Sequence, residues 1–385
     1  RETRKLMMSN TDTLRSKWLA LRNRLLANPA FQRWAVDFPL TRPLAQRRAR
    51  ELFDVTAGFV YSQILFACVQ LDLLPFLAAG PRSRDELTRH LHLDEAGILR
   101  LLKAATSLGL VEPWPDGGYG LGAQGAALLG NPGIAAMVEH HAMLYADLAD
   151  PVALLRGEGG PTRLGAYWSY AASAEPDVLE AGAVADYSRL MSASQSLVAG
   201  DILDACSLQD RRCLLDVGGG EGRFVASVAA RWPHLRLQLF DLPAVGAQAQ
   251  ARFEREGLAD RAQAFGGNML ADALPRGADV ISLVRVVHDH DDAAVRRLLA
   301  AARAALPPGG TLLLAEPLAG TPGAEPMGEA YFGFYLMAMG SGRPRTPAEL
   351  TAMLEQAGFV RVRQRRTRRP LLTGLITAEV ARDCK

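Results

Sequence analysis

The sequence has few cysteines, little net charge and no evident long apolar run. Its four cysteines are scattered without Cys-x-x-Cys spacing, which argues against a disulfide framework and against a cysteine zinc site. No apolar run is expected to reach the roughly 20 residues that cross a bilayer, and the N-terminus lacks the residue order of a signal peptide. These absences predict a cytoplasmic protein, soluble or peripheral on a membrane. The composition is otherwise ordinary, 49% hydrophobic and 22% charged over 385 residues, which is enough for two domains.

The chain is organised around a glycine-rich segment at residues 213–222. Cys213 to Val217 has the length of a strand that is buried on both faces. Four glycines follow where the backbone must turn tightly and touch a ligand: Gly218, Gly219, Gly220 and Gly222. Apolar residues at helical spacing resume at Phe224. The segment therefore predicts a strand, a tight turn and a helix whose N-terminus faces a ligand.

A second predicted strand, Leu235 to Phe240, ends at an acid that suits a nucleoside ligand. Asp241 lies 21 residues beyond Gly220, where a doubly wound sheet places a carboxylate on the ribose hydroxyls. The Gly-x-Gly-x-Gly spacing is one residue shorter than the dinucleotide fingerprint, so no pyrophosphate need be held. Asp216 and Glu221 add negative charge, which favours a ligand with ammonium and sulfonium groups over one with phosphates. A tight turn in a ligand-free sheet is the plainer alternative.

Three further strands bring polar residues to the same edge of the predicted sheet. Asn268 and Met269 follow the third strand and are expected to contact an adenine ring. Arg285 and His288 follow the fourth strand, and Glu316 ends the fifth. A neutral imidazole near such a ligand is a plausible general base, and a neighbouring carboxylate would fix its tautomer.

Other interpretations of the His288 segment stay open at this point. His288, Asp289, His290, Asp291 and Asp292 could form a metal cluster, although the spacing lacks the helical pattern of common zinc sites. Asp291 and Asp292 also suit the N-terminus of the next helix, where the dipole favours acids. His288 could simply be a hydrogen-bonded loop histidine.

The segment Leu-Val-Arg-Val-Val-His-Asp-His-Asp-Asp, which ends at Asp292, resembles the Leu-Lys-x-x-Leu-His-Asp-Trp-x-Asp motif of a known family. That family is the S-adenosylmethionine-dependent small-molecule O-methyltransferases of plant caffeate and bacterial type, and the glycine segment resembles its first motif. The resemblance covers essentially the whole chain. It implies a Rossmann-like α/β sheet with an N-terminal helical winged-helix dimerisation domain, a homodimer, and S-adenosylmethionine as cofactor without a metal. It makes His288 the base and Glu316 a second catalytic acid, and it assigns these residues to the cofactor: Asp216, Gly218, Gly220, Asp241, Leu242, Asn268, Met269 and Arg285.

Three departures from the family pattern bear on the site. His290 replaces the usual tryptophan, and Asn268 replaces the aspartate of the adenine loop. A further acid of plant members would align near Gly333, and Glu329 is the nearest candidate to replace it.

Three other segments are similar to a narrower group, the O-methyltransferases of carotenoid synthesis in purple photosynthetic bacteria. They begin at Phe31, Ala57 and Tyr335. This similarity implies methylation of the tertiary hydroxyl of an acyclic hydroxycarotenoid of the hydroxyneurosporene type. Bacteriochlorophyllide and aromatic-polyketide methyltransferases remain alternatives, as does a cofactor-binding protein that transfers no methyl group.

The part before the catalytic domain divides into a basic extension, 1–50, and a helical domain, 51–204, that also covers the substrate; the catalytic domain is 205–385. A buried helix is expected over Ala57 to Val69. A capping box at Ser83 to Glu86, a helix bearing Ile98 and a hairpin turn at Pro113 to Gly118 follow winged-helix order. A DNA-binding regulator is therefore a second hypothesis, although the presumed recognition helix opens with acids, and we expect no nucleic-acid partner.

The charge of the chain is concentrated at the two ends of the sequence. Residues 1–50 hold 12 Lys/Arg against three acids, a net of 12 − 3 = +9. Leu14, Trp18, Leu21 and Leu25 share one helical face there, so residues 10–40 either touch an anionic membrane, such as the inner or photosynthetic membrane, or pack against protein. Six arginines between Arg361 and Arg369 are expected on an exposed antiparallel edge strand, with lipid headgroups as a further possibility.

Overall fold

A computed structural model describes residues 2–168, 195, 198–370 and 372–382 of the chain. These residues belong to two compact units, Arg1–Gln124 and Gly125–Lys385. The domain boundary expected at residue 204 stays a prediction. A helix, Ala123–Leu129, spans the division between the units.

The first unit is helical and ends in a small hairpin. Its helices are Glu2–Leu26, Pro29–Asp37, Arg42–Gln70, Leu73–Ala78, Arg84–Leu91 and Glu95–Ser107. Strands β1 (Val111–Pro113) and β2 (Tyr119–Leu121) then pair antiparallel. The capping box at Ser83 and Glu86 is formed, with each side chain bound to the backbone of the other residue. The expected order of helix, helix and hairpin is present.

The helix Arg42–Gln70 corrects two expectations. It contains an 18-residue stretch that is long and apolar enough to cross a membrane by length and composition, so the expectation of no such run is wrong. The helix was also expected to be buried over Ala57 to Val69. Only Cys68 and Val69 are buried in this part, and Phe59 is 73% exposed. Helical periodicity identified the element, but it could not show which neighbour covers the apolar face.

The second unit is an α/β layer structure around one seven-stranded sheet. Its strands are β3 (Cys213–Val217), β4 (Arg236–Asp241), β5 (Ala262–Gly266), β6 (Val280–Val284), β7 (Thr311–Glu316), β8 (Phe359–Arg365) and β9 (Gly374–Val380). The helices between them include Arg223–Arg231, Pro243–Arg255, Asp292–Ala305, Gly333–Met339 and Pro347–Gln356. The helices Pro132–Asp147, Pro151–Arg156 and Arg163–Tyr167 precede the sheet. Residues 198–205 are also helical.

The sheet order is β5-β4-β3-β6-β7-β9-β8, with β3 to β7 parallel and β9 and β8 antiparallel. The order reverses between β3 and β6, and open α/β sheets bind ligands beyond the carboxyl ends of the strands at such a point. Gly218 follows β3 there, and Arg285 follows β6. The predicted α/β sheet is confirmed.

Both faces of the sheet are buried, as the continuous apolar strands predicted. Leu215 and Val217 pack into one core, and Leu214 packs into the core on the opposite face. The predicted edge strand is β8, and it is antiparallel to β9. The strand ends at Arg365, so the expectation that the arginines up to Arg369 lie on it is wrong for those beyond Arg365. Arg361 on the strand pairs with Glu379, and Arg369 beyond its end pairs with the buried Asp201.

Candidate active site

The glycine turn after β3 adopts the backbone shape that the sequence predicted. Gly218, Gly220 and Gly222 all have positive φ, between 56° and 80°. A Cβ on Gly218 would lie 2.7 Å from Val286, and one on Gly222 would lie 2.6 Å from Phe253. A Cβ on Gly220 would instead meet no atom of the described protein within 4 Å. Gly220 therefore faces open space, while Gly218 packs against the segment after β6 and Gly222 packs against the helix Pro243–Arg255.

Asp241 is fastened to this turn. One carboxylate oxygen accepts the Gly220 N–H at 2.7 Å, and the other accepts the Leu242 N–H at 2.7 Å. Burial raises the pKa of Asp241 to about 6, and the two N–H donors oppose that rise. A direct hydrogen bond thus joins Gly220 and Asp241, the two residues that the sequence assigned to one ligand.

Asp216 lies beneath the turn. Its side chain is buried and accepts a hydrogen bond from the Ser282 hydroxyl at 2.6 Å. Burial raises the pKa of Asp216 to about 7, with a further contribution from the charge of Asp241. A Cβ on Gly219 would lie 2.7 Å from the Asp216 carboxylate, so this acid supports the turn from below.

The predicted adenine loop follows β5 as a tight turn. The side-chain oxygen of Asn268 accepts the Leu270 N–H at 2.9 Å, and the Asn268 N–H donates to Asp272 at 2.7 Å. Met269 is partly buried against the core. The Asn268 side chain therefore stabilises its own loop through this hydrogen bond, which is a structural role for the asparagine.

His288 is held between two carboxylates. Its Nδ1 pairs with Glu316, and its Nε2 lies 3.2 Å from Asp289. The other oxygen of Glu316 accepts the N–H groups of Val286 and Val287 at 3.0 and 2.6 Å. Burial lowers the pKa of His288, but the charges of Asp289 and Glu316 outweigh it, so the net shift is upward. The arrangement is an oriented imidazole with a buried acid behind it.

The backbone before His288 is strained. Arg285 has a φ of 59°, a conformation that costs a residue with a Cβ roughly 1–2 kcal/mol. Its N–H still donates to Ala315 on β7 at 2.8 Å. The Arg285 charge also acts on His288 and on Tyr331. Such strain is commonly stored where a side chain must be aimed.

The other polar residues of the His288 segment have structural partners. Asp291 caps the next helix by accepting the Ala294 N–H, and Asp292 pairs with Arg343 and Arg345. These bonds favour the helix-terminus interpretation of the two acids over a metal cluster. His290 is buried, and its Nε2 has no hydrogen-bond partner among the described residues. Burial chiefly lowers its pKa.

Glu329, the candidate to replace the plant acid, has a local partner. Its side chain is exposed, and one oxygen accepts the Gly320 N–H at 2.7 Å. A Cβ on Gly333 would meet nothing within 4 Å. Among the described residues there is thus free space beside Gly333, and the role of Glu329 stays a prediction.

An aromatic and histidine cluster beside His288 was not predicted. Phe332 packs edge-on to the His288 ring, with ring centres 5.9 Å apart, and Tyr331 packs on Phe332 at 5.1 Å. Two histidines from the helix Pro132–Asp147 reach this wall, since His140 bonds Tyr335 at 2.7 Å and His141 bonds Tyr331 at 2.8 Å. Trp168 also donates to Tyr335. No spacing signal could have joined residues that lie about 190 positions apart.

Together these features define a class of enzyme. Gly220 opens onto free space beside Asp241, a carboxylate suited to ribose, and the buried Asp216 supports the turn from below. These residues fit S-adenosylmethionine, whose sulfonium and ammonium are cationic. With an imidazole and its acid at the same sheet edge, the fold and site are those of an S-adenosylmethionine-dependent methyltransferase.

Comparison with known proteins identifies the family. Residues 145–360 match the family model of the O-methyltransferase domain, and residues 53–131 match that of the O-methyltransferase dimerisation domain. The chain is 43% identical over 361 residues to demethylspheroidene O-methyltransferase of Cereibacter sphaeroides, covering 92% of this chain and 93% of that protein. It is 31% identical to acetylserotonin O-methyltransferase of Mus musculus, covering 84% and 87%. The chain belongs to the O-methyltransferase family and is an S-adenosylmethionine-dependent O-methyltransferase.

Solved structures share the fold. Human N-acetylserotonin methyltransferase in complex with SAM superimposes with a TM-score of 0.71 at 22% identity, covering 87% of this chain and 98% of that one. The mitomycin 7-O-methyltransferase gives a TM-score of 0.70 at 24% identity, covering 88% and 100%.

Proposed function

We propose that this enzyme methylates the tertiary hydroxyl of an acyclic hydroxycarotenoid, with His288 as general base. The observation that carries the catalytic part is the His288 ring held by Glu316 at the edge where Gly220 faces open space. The acceptor is supported by the 43% identity to demethylspheroidene O-methyltransferases of two bacteria. Relatives named for aromatic acceptors, such as a naphthoate O-methyltransferase, are 30% identical.

The cofactor residues are those at the β3–β6 reversal. Asp241 would hold the ribose hydroxyls with its remaining lone pairs, and Leu242 follows it at the rim. Gly218 and Gly220 let the backbone approach the ligand, and Asp216 supports them from below. The loop residues Asn268 and Met269 would lie against the adenine, and Arg285 would border the site from β6. S-adenosylmethionine supplies a methyl group on a positively charged sulfur.

The acceptor chemistry suits a strong, oriented base. An aliphatic alcohol has a pKa near that of water, about 15.7, against about 6.5 for histidine. The proton must therefore leave late, as the new bond forms. The upward shift in the His288 pKa strengthens it as a base, and Glu316 stabilises the imidazolium that results. Asp289 must release the Nε2 atom when the acceptor binds, because that atom takes the proton.

The wall of aromatic side chains beside His288 supports an apolar acceptor. Phe332 and Tyr331 present ring surface next to the base. Burial lowers the pKa of His140 to about 4, so that this histidine stays neutral at physiological pH. The Trp168 N–H donates to the Tyr335 oxygen, which leaves the phenol hydrogen for His140. Because the polar groups of these neutral side chains bond to one another, the substrate need not supply a polar partner for them.

The test is methyl transfer from labelled S-adenosylmethionine. We expect label in the organic phase with a hydroxylated acyclic carotenoid, and much less with bacteriochlorophyllide or a naphthoate phenol. His288→Ala should bind the cofactor normally and lose most turnover. Transfer to the phenol alone would replace the carotenoid with an aromatic acceptor. Wild-type turnover by His288→Ala would remove the base, and no transfer to any acceptor would favour a cofactor-binding protein without this activity.

The exposed helix Arg42–Gln70 suits a homodimer. Most of it overlaps the matched dimerisation domain, and Val55 and Phe59 are exposed on it. A shallow apolar pocket lined by Val60, Ile64 and Leu101 lies beside it. A second copy would cover this surface. Phe59→Asp should therefore yield monomers in sedimentation velocity, and an unchanged dimer would reject this surface as the interface.

The basic N-terminal segment suits the surface of an anionic membrane, where a carotenoid acceptor dissolves. Trp18 is 60% exposed with Arg22 over its ring, and Trp34 stacks on Phe38 in the next helix. Amphipathic helices of this kind bury tryptophan at the lipid interface. The enzyme would then be a cytoplasmic protein, peripheral on the membrane.

Vesicle binding tests this contact. The wild type should sediment with vesicles that contain anionic lipid and not with zwitterionic ones, and Trp18→Ser should reduce binding at least several-fold. Trp114→Ser is the control, because Trp114 is also exposed but lies in the hairpin outside the segment. Equal binding by all three proteins would contradict contact through Trp18. No binding by any of them would contradict membrane contact and favour packing of the segment on protein.

A further inference from the structure

The catalytic histidine lies on a segment that lacks regular hydrogen bonding. Val287–Asp289 is a single turn of 3-10 helix between β6 and the helix Asp292–Ala305. Arg285, just before it, is in the left-handed region. Backbone carbonyls that are buried without a helix or sheet need other donors. The location of these donors decides what fixes the backbone of His288.

All four carbonyls from Val287 to His290 accept hydrogen bonds from residues 341–345. The Arg345 guanidinium donates to Val287 at 2.9 Å and to His290 at 2.8 Å. The Arg343 N–H donates to His288 at 3.0 Å, and the Ser341 hydroxyl donates to Asp289 at 2.7 Å. Residues 341–345 therefore hold the segment along its whole length, and we call them the supporting loop.

Two features suit the supporting loop to this task. Gly342 has a φ of 81°, and a Cβ there would lie 2.6 Å from the Asp289 carbonyl carbon and closer still to the His288 oxygen. Only glycine allows so close an approach without displacing one of the two segments. Arg345 is 2% exposed, and its charge is balanced by Asp292 at 2.7 Å. Its planar fork can bind two carbonyls and a carboxylate at once, which lysine cannot.

We infer that Arg345 is a positioning residue, which fixes the His288 imidazole by holding the carbonyls on both sides of it. Glu316 orients the imidazole ring from β7, while the supporting loop fixes the backbone from which the His288 side chain extends. This inference rests on the proposed role of His288 as base. Displacement of a reacting group by about 1 Å costs on the order of 100-fold in rate, so loss of this support should lower kcat rather than cofactor affinity.

The test compares Arg345→Lys with Arg343→Lys. Both arginines pair with Asp292, but Arg343 reaches the His288 carbonyl through its backbone N–H, which the substitution retains. We expect Arg345→Lys to lower kcat about 10- to 100-fold with KM for S-adenosylmethionine within about twofold. Arg343→Lys should keep kcat within about threefold. If both variants lose kcat equally, the carbonyl contacts are not the cause and the inference is wrong.

A second readout does not depend on turnover. The titration of His288, followed by NMR of histidine-labelled protein, reports its distance from the charges that face it, namely Asp289, Glu316, Arg285 and His290. Arg345→Lys should move this titration, and an unmoved titration would overturn the positioning role. Full activity of His288→Ala would instead overturn the proposed base, so the two failures can be told apart.

Ser341→Ala provides a second test of the inference if Arg345→Lys fails to fold. Ser341 is only half-buried, so its removal should not prevent folding, yet it deprives the Asp289 carbonyl of its donor. We expect kcat to fall several-fold in a variant that still folds. An unchanged kcat would refute support of the catalytic segment by this loop.

Discussion

Replacement of Glu316 by glutamine separates the chemical role of this acid from its structural role. Glu316 is 2% exposed, and one of its oxygens accepts two backbone N–H groups while the other pairs with His288. Glutamine has the same shape and keeps one oxygen. Because the two N–H groups demand that oxygen, the amide nitrogen must face His288 Nδ1. The imidazole then has to carry its proton on Nε2, the atom that should receive the proton of the acceptor.

The expected magnitudes differ between glutamine and alanine. A general base contributes roughly 10²- to 10⁴-fold, so Glu316→Gln should lose about that factor in kcat. Its stability should fall by about 1.5–3 kcal/mol, the value of a hydrogen bond to a charged group. Alanine also strands the N–H groups of Val286 and Val287, at about 1–3 kcal/mol each. Glu316→Ala should therefore lose roughly 2–6 kcal/mol of unfolding free energy beyond the loss expected for Glu316→Gln, in addition to its activity.

The assay combines labelled methyl transfer, calorimetry of S-adenosylmethionine binding and denaturant unfolding. Glu379→Gln is the control, because Glu379 lies on β9 of the same sheet and pairs with Arg361 away from the site. Cofactor affinity should stay within about twofold in both glutamine variants. If Glu316→Gln retained more than a tenth of wild-type kcat, the orientation of the imidazole by Glu316 would be refuted.

Three further predictions concern pH and the cofactor site. The kcat/KM should rise with pH through a pKa above the ordinary histidine value, because His288 acts as a base in its neutral form and its pKa is raised. Asp289→Asn should shift the inflection of the pH–rate profile to lower pH, because it removes one of the charges that raise this pKa. Gly220→Ala should weaken S-adenosylmethionine binding at least tenfold in calorimetry. Gly257 has the same left-handed φ and open surroundings, so Gly257→Ala should lose the same roughly 1–2 kcal/mol of stability to backbone strain but keep its cofactor affinity. Affinity for the cationic cofactor should rise between about pH 5 and 7, because Asp241, with a pKa of about 6, loses its proton in this range. Calorimetry of Asp241→Asn should show weaker binding without this pH dependence. An equal pH dependence in the variant would exclude Asp241 as its source.

Much of the fold followed from local patterns. The glycine segment predicted β3 without error in its bounds, because a short apolar run before a glycine turn leaves few alternatives. The helix Asp292–Ala305 buries the predicted residues Val295, Leu298, Leu299 and Ala302. Strand β9 was not predicted, since its apolar run near the end of the sequence carries no motif. The sequence also predicts a loop from Ser173 to Asp177, which lies outside the described residues.

The site was predictable where it depends on strand ends. Asp241, Arg285 and Glu316 each end or follow a parallel strand, so topology alone brings them to one edge. Their individual roles stay predictions. The histidines that face Tyr331 and Tyr335, and the carbonyl contacts of Arg345, depend on packing between distant segments. Such contacts leave no periodic trace in a single sequence.

The pairing of His288 with Glu316 is a consequence of sheet register. Val284 lies opposite Ala315 in the parallel pair β6–β7, so Glu316 emerges beside the segment Arg285 to Val287. A slip of one residue would turn the Glu316 side chain to the other face of the sheet. The register thus determines which carboxylate meets the imidazole, and the two N–H groups that bind Glu316 hold it there. The supporting loop binds the backbone carbonyls of the same segment, so the ring of His288 and its backbone are restrained by different parts of the chain.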